Sequence, residues 1–456
     1  MNWNGLRVAV VGLARSGVAA CLFLHRRGAR VVGIDRRPAP DLGNVPNELQ
    51  AAGIEMSVGA HPDLHAFDAI VLSPGVDPAQ EGIAQARAKG ALVLPELEVG
   101  ALEVTGRIVC ITGTKGKSTT TTALAAMLRD AGFDARAVGN IGSPITAHVD
   151  GSDERTIFVT EASSFQLETT QALRPHCAIF LNLFADHLDR HPTMESYAEA
   201  KARIFANQTS SDTAIVNGED SAVLGLAART KAAVIPFRPR TAPPPGATGP
   251  LAAFENDQAV FRNRETTPLF RVDDVQIPGV AVRANLLAAA TAAHHLGVAS
   301  EVIRGTVRGF KGVPHTFEKL GVVESVAFFN DSKATTLESV DAALRSFGSP
   351  VIVILGGRLK AGSFTALKDA VTKHARAVYA IGESRGLIHQ ALDGVLPVHD
   401  ASNMDEAVTR AFEEAKPGDT VLLSPGCSSF DMFRDYAERG EAFRRAFERL
   451  SLEGAA

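Results

Sequence analysis

A chain of 456 residues is long for a single hydrophobic core and predicts two or three domains. Its 45% hydrophobic and 21% charged residues are typical of an ordinary globular protein. The net charge of −5 argues against a general nucleic-acid or anionic-membrane surface, so we expect neither nucleic-acid binding nor membrane insertion.

The N-terminus leads directly into a strand-like segment, and no apolar run is long enough to span a bilayer. We therefore expect no secretory signal and a cytoplasmic location. The cysteines are far apart and form no CxxC pair, which predicts reduced thiols rather than a disulfide framework or a zinc site: Cys21, Cys110, Cys177 and Cys427.

The first predicted elements are a strand, a glycine turn, a helix that ends at Gly28 and a second strand that ends at Asp35. The turn Gly12 to Gly17 carries the first and third glycines of G-x-G-x-x-G, with Ala14 in the middle. It predicts a diphosphate at the helix N-terminus and a ribose near Asp35. The alternatives are an ordinary strand–helix turn, or a nicotinamide-dependent oxidoreductase that leaves the rest of the chain unexplained. A later segment, Phe67 to Gly75, predicts another loop at the same sheet edge.

The next strand, "RIVCIT", runs into the loop "ITGTKGKSTT", which ends like a phosphate-binding loop. The usual pattern has a glycine five residues before Gly116, where this chain has Ile111. Gly113 and Gly116 still allow a tight turn, so the loop and the following helix N-terminus predict triphosphate binding. Lys117 is expected to reach the β- and γ-phosphates, and the hydroxyl of Ser118 or Thr119 to ligate Mg²⁺.

Two further polar groups follow predicted strands of this unit. Glu161 ends a strand, where it either holds Mg²⁺ or is a solvated residue or cap. The loop "ADHLDRH" predicts a metal or phosphate environment or, alternatively, a structural polar loop, through Asp186, His187, Asp189 and His191. The proline-rich span Pro236 to Pro250 predicts an exposed loop.

A third unit is predicted from about Ala299, with strands "VAFFND", "PVIVILGG", "AVYAIG" and "TVLLSPG". The loop after the first of these strands predicts an anionic ligand, a helix N-cap at Thr335 or Thr336, or both. It contains Asn330, Asp331, Ser332, Lys333, Thr335 and Thr336. A second strand-end loop follows at Ser424 to Phe433.

The predicted fold class is therefore α/β, with three consecutive α/β domains and mostly parallel sheets. We expect a Rossmann-like domain over 1–94, a phosphate-loop domain over 95–298 and a Rossmann-like domain over 299–456.

The motifs together resemble the Mur ligases over nearly the whole chain, in order. The short phosphate loop of that family matches Gly113 to Thr119. The other matching segments are "GNIG" (139–142), "EASSFQLE" (161–168), "DHLDR" (186–190), "YAEAKARIF" (197–205), "NDSKATT" (330–336) and "LLSPGCSSFD" (422–431).

The resemblance implies an ATP-dependent ligase that attaches D-glutamate to UDP-N-acetylmuramoyl-L-alanine through an acyl phosphate in peptidoglycan precursor synthesis. The implied catalytic residues are Lys117, Glu161, His187 and Lys201. The resemblance also implies two Mg²⁺ ions, held by Ser118 and Glu161 and by His187 and a carbamoylated Lys201.

The resemblance further assigns each substrate to residues of this chain, and we expect a monomer. ATP is assigned to Gly113, Thr114, Lys115, Gly116, Lys117, Ser118, Thr119, Asn285 and Asp331. The UDP substrate is assigned to Ser16, Asp35, Arg37, Ser73, Gly75, Asn140 and His187. D-Glutamate is assigned to Lys333, Thr335, Lys360, Ser429, Phe430 and Tyr436.

The chain departs from the family pattern at two places where the family binds ATP. Ala281 and Val282 replace a His-Asn pair, and Thr316 replaces an arginine. They motivate one alternative, a weakened paralogue that binds UDP precursors for regulation. A second alternative is a related ligase that adds L-glutamate or another residue, because the same cationic and hydroxyl donors could bind either enantiomer of glutamate. A complete α/β unit before the phosphate loop argues against a folylpolyglutamate synthase, and the absence of D-N-P-R argues against the diaminopimelate-adding ligase.

Overall fold

Short apolar strands alternate with helices along the chain, and they assemble into three sheets. The computed structural model describes residues 1–59, 63–242 and 248–453. It divides into two units, 1–272 with 284–306, and 273–283 with 307–456. The first unit contains the first two sheets and the second unit contains the third.

The first sheet has the order β3-β2-β1-β4-β5, and every pairing in it is parallel. Its strands are β1 (Arg7–Val11), β2 (Arg30–Asp35), β3 (Glu55–Val58), β4 (Ala69–Leu72) and β5 (Leu92–Pro95). The accompanying helices are α1 (Arg15–Arg26), α2 (Val45–Ala51), α3 (Glu81–Ala88) and α4 (Glu96–Ala101).

The second sheet has the order β14-β13-β12-β11-β10-β9-β6-β8-β7. Its strands are β6 (Arg107–Thr112), β7 (Ala135–Gly139), β8 (Ile157–Glu161), β9 (Cys177–Phe180), β10 (Thr213–Asn217), β11 (Ala233–Arg238), β12 (Leu251–Glu255), β13 (Gln258–Arg262) and β14 (Thr266–Arg271). The helices of this part are α5 (Lys117–Asp130), α6 (Ser164–Leu167), α7 (Met194–Ala202), α8 (Ser221–Ala227), α9 (Val280–His295) and α10 (Ser300–Gly309). The pairings from β7 through β12 are parallel, whereas β13 and β14 form an antiparallel edge.

The third sheet has the order β15-β16-β20-β17-β18-β19, with only its first pairing antiparallel. Its strands are β15 (Glu318–Val323), β16 (Val326–Asn330), β17 (Val351–Gly356), β18 (Ala375–Ile381), β19 (Val398–Asp400) and β20 (Thr420–Leu423). Its helices are α11 (Leu337–Leu344), α12 (Lys368–His374), α13 (Arg385–Leu392), α14 (Met404–Glu414) and α15 (Tyr436–Glu453).

These sheets confirm the predicted α/β class and the mostly parallel pairing. The strands that carry the predicted functional loops are central and buried on both faces, which explains their continuous apolar runs. Parallel strands place their carboxyl ends along one edge of each sheet, where ligands of such folds bind. The two predicted domain boundaries, near residues 94 and 298, stay a prediction.

The predicted loop at Pro236 to Pro250 needs correction. Pro236, Phe237 and Arg238 belong to β11, and Phe237 is buried against the sheet. β11 lies between β10 and β12, but Pro236 is in register only with Val216 of β10, because the pairing with β12 begins at Phe237. A proline is tolerated in a strand where the ladder on one side has not yet begun. Residues 243–247 lie outside the described residues.

The four cysteines are buried free thiols, in agreement with the prediction of reduced thiols. Burial raises the pKa of Cys21, Cys110 and Cys177 to about 12, so these thiols are unreactive. Among the described residues, no helix combines the length and apolar character needed to cross a bilayer.

Candidate active site

The phosphate-type loop joins β6 to α5 and depends on two glycines. Gly113 and Gly116 have φ values of 151° and 89°, conformations that L side chains rarely adopt. A Cβ on Gly116 would lie 2.2 Å from Asn285 Oδ1, which places predicted residue Asn285 directly beside the loop. Ile111, at the position of the usual first glycine, is a fully buried residue of β6. Because β6 continues to Thr112, the turn begins only at Gly113, and the loop is shorter than in the usual G-x-x-x-x-G-K-S/T pattern.

Asn182, which the sequence analysis did not single out, holds the loop from the end of β9. Its Oδ1 accepts hydrogen bonds from the amides of Thr114 at 3.0 Å and Lys115 at 2.9 Å. Its Nδ2 donates to the carbonyl of Lys115 at 3.0 Å. Three bonds from one amide side chain fix the loop backbone. An asparagine just past a strand end in the sheet of the phosphate loop is the signal that could have identified it.

Two lysines meet at the carbonyl of Gly113. Lys117 Nζ donates to it at 3.0 Å and to the Thr114 carbonyl at 2.9 Å, and Lys201 Nζ donates to it at 2.9 Å. Lys201 is only 1% exposed, and its ammonium lies 4.7 Å from the ring centroid of Tyr197. Burial, followed by the positive charge of Lys117, lowers the pKa of Lys201 to about 7. A buried lysine with a neutral amine near pH 7 is an unusual nucleophilic group.

Glu161 ends β8, next to β6 in the sheet, and is 2% exposed. Asn140 Nδ2 donates to its Oε1 at 2.9 Å, which brings together two residues predicted on separate grounds. Within the described residues, Glu161 Oε2 is buried and has no hydrogen-bond partner. A buried carboxylate oxygen of this kind suits a cation.

The loop after β9 places His187 near the site in a left-handed conformation, with φ 54°. Its ring packs edge-on against Phe165 at a centroid distance of 4.9 Å. Lys115 pairs with Asp186 at 3.1 Å, a contact between this loop and the phosphate loop.

The other members of this loop differ from the metal prediction. His191 is buried, lies 3.0 Å from Ser164 Oγ and stacks on Phe165, so packing occupies it. Asp189 is exposed. In the part of the chain that the structure describes, no group of three or more His, Cys, Asp or Glu side chains could hold a metal. Packing thus occupies His191, whereas a metal or phosphate environment at this loop stays a prediction.

The first sheet carries a cavity of about 770 Å³ at its carboxyl edge. Asp35, Arg37, Ser73 and Gly75, four of the residues assigned to the UDP substrate, line it. Ser16 adjoins it through a 3.3 Å contact of its hydroxyl with that of Ser73.

Hydrogen bonds from Arg37 at 2.9 and 3.0 Å lower the pKa of Asp35 to about 2. The Asp35 carboxylate also accepts from the amide of Leu13 at 2.8 Å and thus fixes the glycine turn. Arg36 lines the same cavity and donates to Gln80 at 2.5 Å, and neither residue was singled out from the sequence.

At the carboxyl edge of the third sheet, two strand-end loops carry Asp331, which is assigned to ATP, and four of the residues assigned to glutamate: Lys333, Thr335, Ser429 and Phe430. Of the other two, Lys360 follows β17 and Tyr436 begins α15. Asp331 is buried and accepts from the amide of Phe317 and the hydroxyl of Ser424, both at 3.1 Å, and burial raises its pKa to about 7. Thr336 caps α11, as predicted, by accepting from the amide of Ser339. Ser429 is buried and Thr335 half-buried, whereas Lys333, Lys360, Phe430 and Tyr436 are exposed.

Arg439, which the sequence analysis missed, connects these two loops. It is 1% exposed and donates to the carbonyls of Ser332 at 2.8 Å and Cys427 at 3.0 Å. Its position in α15, outside both loops, left no local signal for this role.

The glycine loop at a strand end, with a buried carboxylate and a buried lysine beside it, defines a phosphate-loop α/β enzyme. Family models match in chain order: the MurD-like N-terminal domain over residues 6–95, the Mur ligase middle domain over 111–293 and the Mur ligase glutamate ligase domain over 317–427.

Relatives and solved structures agree with these matches. A protein of Solibacter usitatus named UDP-N-acetylmuramoylalanine–D-glutamate ligase is 41% identical over 98% of both chains. One of the same name from Acidobacterium capsulatum is 39% identical over 97% of this chain and 96% of its own. The chain belongs to the Mur ligase family, whose members are ATP-dependent ligases.

Two solved structures from Thermotoga maritima share the fold. UDP-N-acetylmuramate-alanine ligase MurC matches with a TM-score of 0.57 and 16% identity, over 98% of this chain and all of that one. MurF ligase in complex with ADP matches with a TM-score of 0.58 and 15% identity, over 93% of this chain and 96% of that one. The three-domain α/β fold is thus that of the family.

Proposed function

We propose that this protein joins D-glutamate to UDP-N-acetylmuramoyl-L-alanine at the expense of ATP, in the cytoplasmic synthesis of peptidoglycan precursors. The observation that carries the proposal is the 41% identity, over 98% of both chains, with a relative named for that reaction. The loop geometry supports the ATP-dependent half of it, because the Gly113–Gly116 turn, with Lys117 folded over it, has the form expected of a triphosphate-binding loop.

The reaction has two steps. The terminal carboxylate of the UDP substrate attacks the γ-phosphorus of ATP, so that a carboxyl–phosphate bond forms and ADP leaves. The amine of glutamate then attacks the acyl carbon, and inorganic phosphate departs from the tetrahedral intermediate. Lys117 is placed to stabilise the charge that moves onto the phosphate oxygens, and the loop amides orient the chain of phosphates.

Magnesium fits the site on the evidence of Glu161, whose buried Oε2 has no partner in the described residues. Ser118 and Glu161 would hold one ion, and His187 with Lys201 a second. The ions supply positive charge to the phosphate oxygens when bound.

Lys201 suits the second ion only as a carbamate, because an ammonium repels a cation. Carbamoylation requires a neutral amine, and the pKa of about 7 at Lys201 provides one. Conversion of the amine to a carbamate would also add an anionic oxygen ligand beside the phosphate loop, whose Gly113 carbonyl Lys201 Nζ contacts at 2.9 Å.

We assign the UDP group to the 770 Å³ cavity, because Asp35, Arg37, Ser73 and Gly75 line its wall. The low pKa of Asp35 keeps it ionised and able to accept hydrogen bonds from a ribose or uracil. Asn140, which orients Glu161, and His187 would lie toward the carboxylate end of the substrate.

The glutamate carboxylates are assigned to the second unit. Lys333 and Lys360 are exposed cations there, and Thr335 and Ser429 provide hydroxyls. Asp331 would contact the nucleotide, and Phe430 and Tyr436 present exposed aromatic rings. We further propose domain boundaries near 94 and 298 and a monomeric enzyme.

A related ligase specific for L-glutamate is the second candidate, since lysine and hydroxyl donors serve either enantiomer. A weakened regulatory paralogue is the third, and Thr316 favours it. Its Oγ1 is buried without a hydrogen-bond partner among the described residues, at the position where the family has an arginine.

The deciding experiment measures phosphate release from ATP and Mg²⁺ with UDP-N-acetylmuramoyl-L-alanine, plus D-glutamate, L-glutamate or neither. Release that requires D-glutamate supports the proposal. Release with L-glutamate alone changes the substrate but keeps the mechanism. Absence of release with both, together with binding of the UDP substrate, supports the regulatory paralogue.

A further inference from the structure

Arg190 lies where three loops of the first unit meet, and the site described above does not use it. Its Nη2 donates to the carbonyl of Val76 at 3.1 Å and to Glu168 Oε1 at 2.5 Å. Its Nη1 lies 3.3 Å from Asp77 Oδ1. The guanidinium lies 5.6 Å from the ring centroid of Phe165. These contacts come from segments that follow β4, β8 and β9.

The guanidinium of Arg190 is partly buried and holds the three loops together through directed hydrogen bonds. The side chains of Arg190 and Glu168 are each 16% exposed, so solvent screens their interaction less than it screens a surface pair. The planar guanidinium fixes the directions of several hydrogen bonds at once, which a lysine ammonium does not. Arg190 therefore determines where the carbonyl of Val76 lies relative to the other two loops.

The Val76 end of this contact belongs to the wall of the UDP cavity. Gly75 and Val76 both line the cavity, and the amide of Val76 donates to the carbonyl of Ser73 at 2.9 Å. A Cβ on Gly12 would lie 2.9 Å from Val76 Cγ2, so the wall is tightly packed against the glycine turn. Val76 therefore contacts both Ser73 and the glycine turn in the wall of the cavity.

The other end belongs to the segment that carries His187. Phe165, under the guanidinium, packs edge-on against the ring of His187 at 4.9 Å. Ser164, on the same short helix, contacts His191 at 3.0 Å. One side chain thus connects the wall of the UDP cavity with the loop proposed to face the reacting carboxylate.

We propose that Arg190 is a positioning residue that sets the spacing between the UDP-binding loop and the phosphorylation site. The inference rests on the proposed function and identifies what aligns the two ends of a long UDP-linked substrate. Without this contact, the UDP group still binds, but the rest of the substrate is misaligned. The KM for the whole UDP substrate therefore rises, whereas the affinity for UDP alone is nearly unchanged.

The test uses Arg190→Met, Arg190→Lys and Glu168→Gln in the full-length enzyme. Arg174→Met is the matched control, because Arg174 donates to buried Asp212 at 2.9 Å in the same sheet domain but away from the cavity. Steady-state kinetics give KM for the UDP substrate and for ATP, and calorimetry gives the affinity for UDP alone. Urea unfolding reports stability for every variant.

We expect Arg190→Met to raise KM for the UDP substrate about tenfold or more, while KM for ATP changes less than about threefold. Arg190→Lys restores part of the loss, and Glu168→Gln reproduces part of it. Arg174→Met also lowers stability, because it leaves the buried Asp212 carboxylate without its guanidinium partner, but both KM values stay near those of the wild type. A nearly unchanged affinity for UDP alone in Arg190→Met would place the defect in alignment rather than in the nucleotide pocket.

Equal changes in the two KM values, or the same kinetic effect from Arg174→Met, would overturn the inference and leave Arg190 a stabilising residue only. If the wild-type enzyme turns over the UDP substrate and Arg190→Met has the same kinetic constants, the inference is overturned but the proposed function stands. A wild-type enzyme that neither binds UDP nor turns over the substrate overturns both.

Discussion

The side-chain amide of Asn140 donates to Glu161 Oε1 at 2.9 Å, and among the described residues the second oxygen, Oε2, is buried without a partner. An unpaired buried oxygen of an ionised carboxylate costs free energy unless a cation or an ordered water satisfies it. Asn140 therefore fixes the rotation of the carboxylate and leaves one oxygen directed to a ligand. The pair therefore suits the Mg²⁺ site proposed at the end of β8.

Glu161→Gln removes the charge of that site but keeps its shape. We expect kcat to fall about 100-fold or more and the Mg²⁺ concentration at half-maximal activity to rise, because the amide is a poor ligand for Mg²⁺. A magnesium titration of ATP turnover measures both. The control is Glu154→Gln, at an exposed position in the same domain. An unchanged magnesium titration in Glu161→Gln would contradict the assignment.

Gly116→Ala and Gly132→Ala separate backbone strain from a clash in the phosphate loop. Both glycines have nearly the same φ, 89° and 87°, but a Cβ on Gly116 would lie 2.2 Å from Asn285 Oδ1, whereas one on Gly132 would meet nothing within 4 Å. We expect Gly132→Ala to lower the free energy of unfolding by about 1–2 kcal/mol with normal activity. Gly116→Ala should lower it further and raise KM for ATP. Equal effects of the two variants on ATP would show that Asn285 does not constrain the loop.

Lys201→Met tests the buried amine. Carbamate forms from the neutral amine, whose fraction rises as the pH passes through about 7. We expect the carbamoyl mass on wild-type protein at pH 8 with bicarbonate, less of it at pH 6, and none in the variant. Activity of the variant should fall about 100-fold. Lys231→Met, at an exposed position, is the control and should match the wild type. Full activity without bicarbonate would argue against a carbamate.

The same lysine affects the pH dependence of stability when it is not carbamoylated. Its pKa is about 7 in the folded protein and near 10.5 when unfolded, so the unfolded chain binds the extra proton between these values. The free energy of unfolding therefore gains a positive slope with pH from about 7 upward. Urea unfolding across this range should show a shallower slope for Lys201→Met, and identical slopes would contradict the lowered pKa.

Arg37→Gln should release the carboxylate of Asp35. Hydrogen bonds from Arg37 hold the pKa of Asp35 at about 2, below its ordinary value of 3.8. The associated stability is present above about pH 4 and is lost as the pH falls toward 2. Because the Arg37 side chain is half exposed, we expect a difference of no more than about 1 kcal/mol at pH 6. The curves for variant and wild type should converge near pH 2.

Carboxylate resonances in an NMR pH titration would show the Asp35 pKa of the Arg37→Gln variant moving toward 3.8. Arg155→Gln, which breaks a more exposed pair with Asp153, is the control and should leave Asp35 unchanged. An Asp35 pKa that stays near 2 in Arg37→Gln would assign the shift to the backbone amides of Leu13 and residue 37 instead.

Local pattern in the sequence determined the alternation of strands and helices, the phosphate loop and the positions of Glu161 and Thr336. Each depends on neighbours a few positions away: an apolar run, a glycine that permits a positive φ, a hydroxyl before a helix. The apolar runs that predict strands were weaker at β15, at β19 and at the antiparallel edge of the second sheet. Short edge strands gain much of their stability from the strand beside them, not from their own residues.

Only the tertiary structure decided which distant residues complete the site. Asn182 holds the amide of Thr114 across 68 positions, and Lys201 reaches the carbonyl of Gly113 across 88. Arg190 contacts Val76 across 114 positions. Such contacts arise because parallel pairing brings the ends of nonconsecutive strands to one sheet edge, an arrangement set by the packing of the whole core. Burial in that core also produces the lowered pKa of Lys201 and the unpaired oxygen of Glu161, which no local stretch of sequence contains.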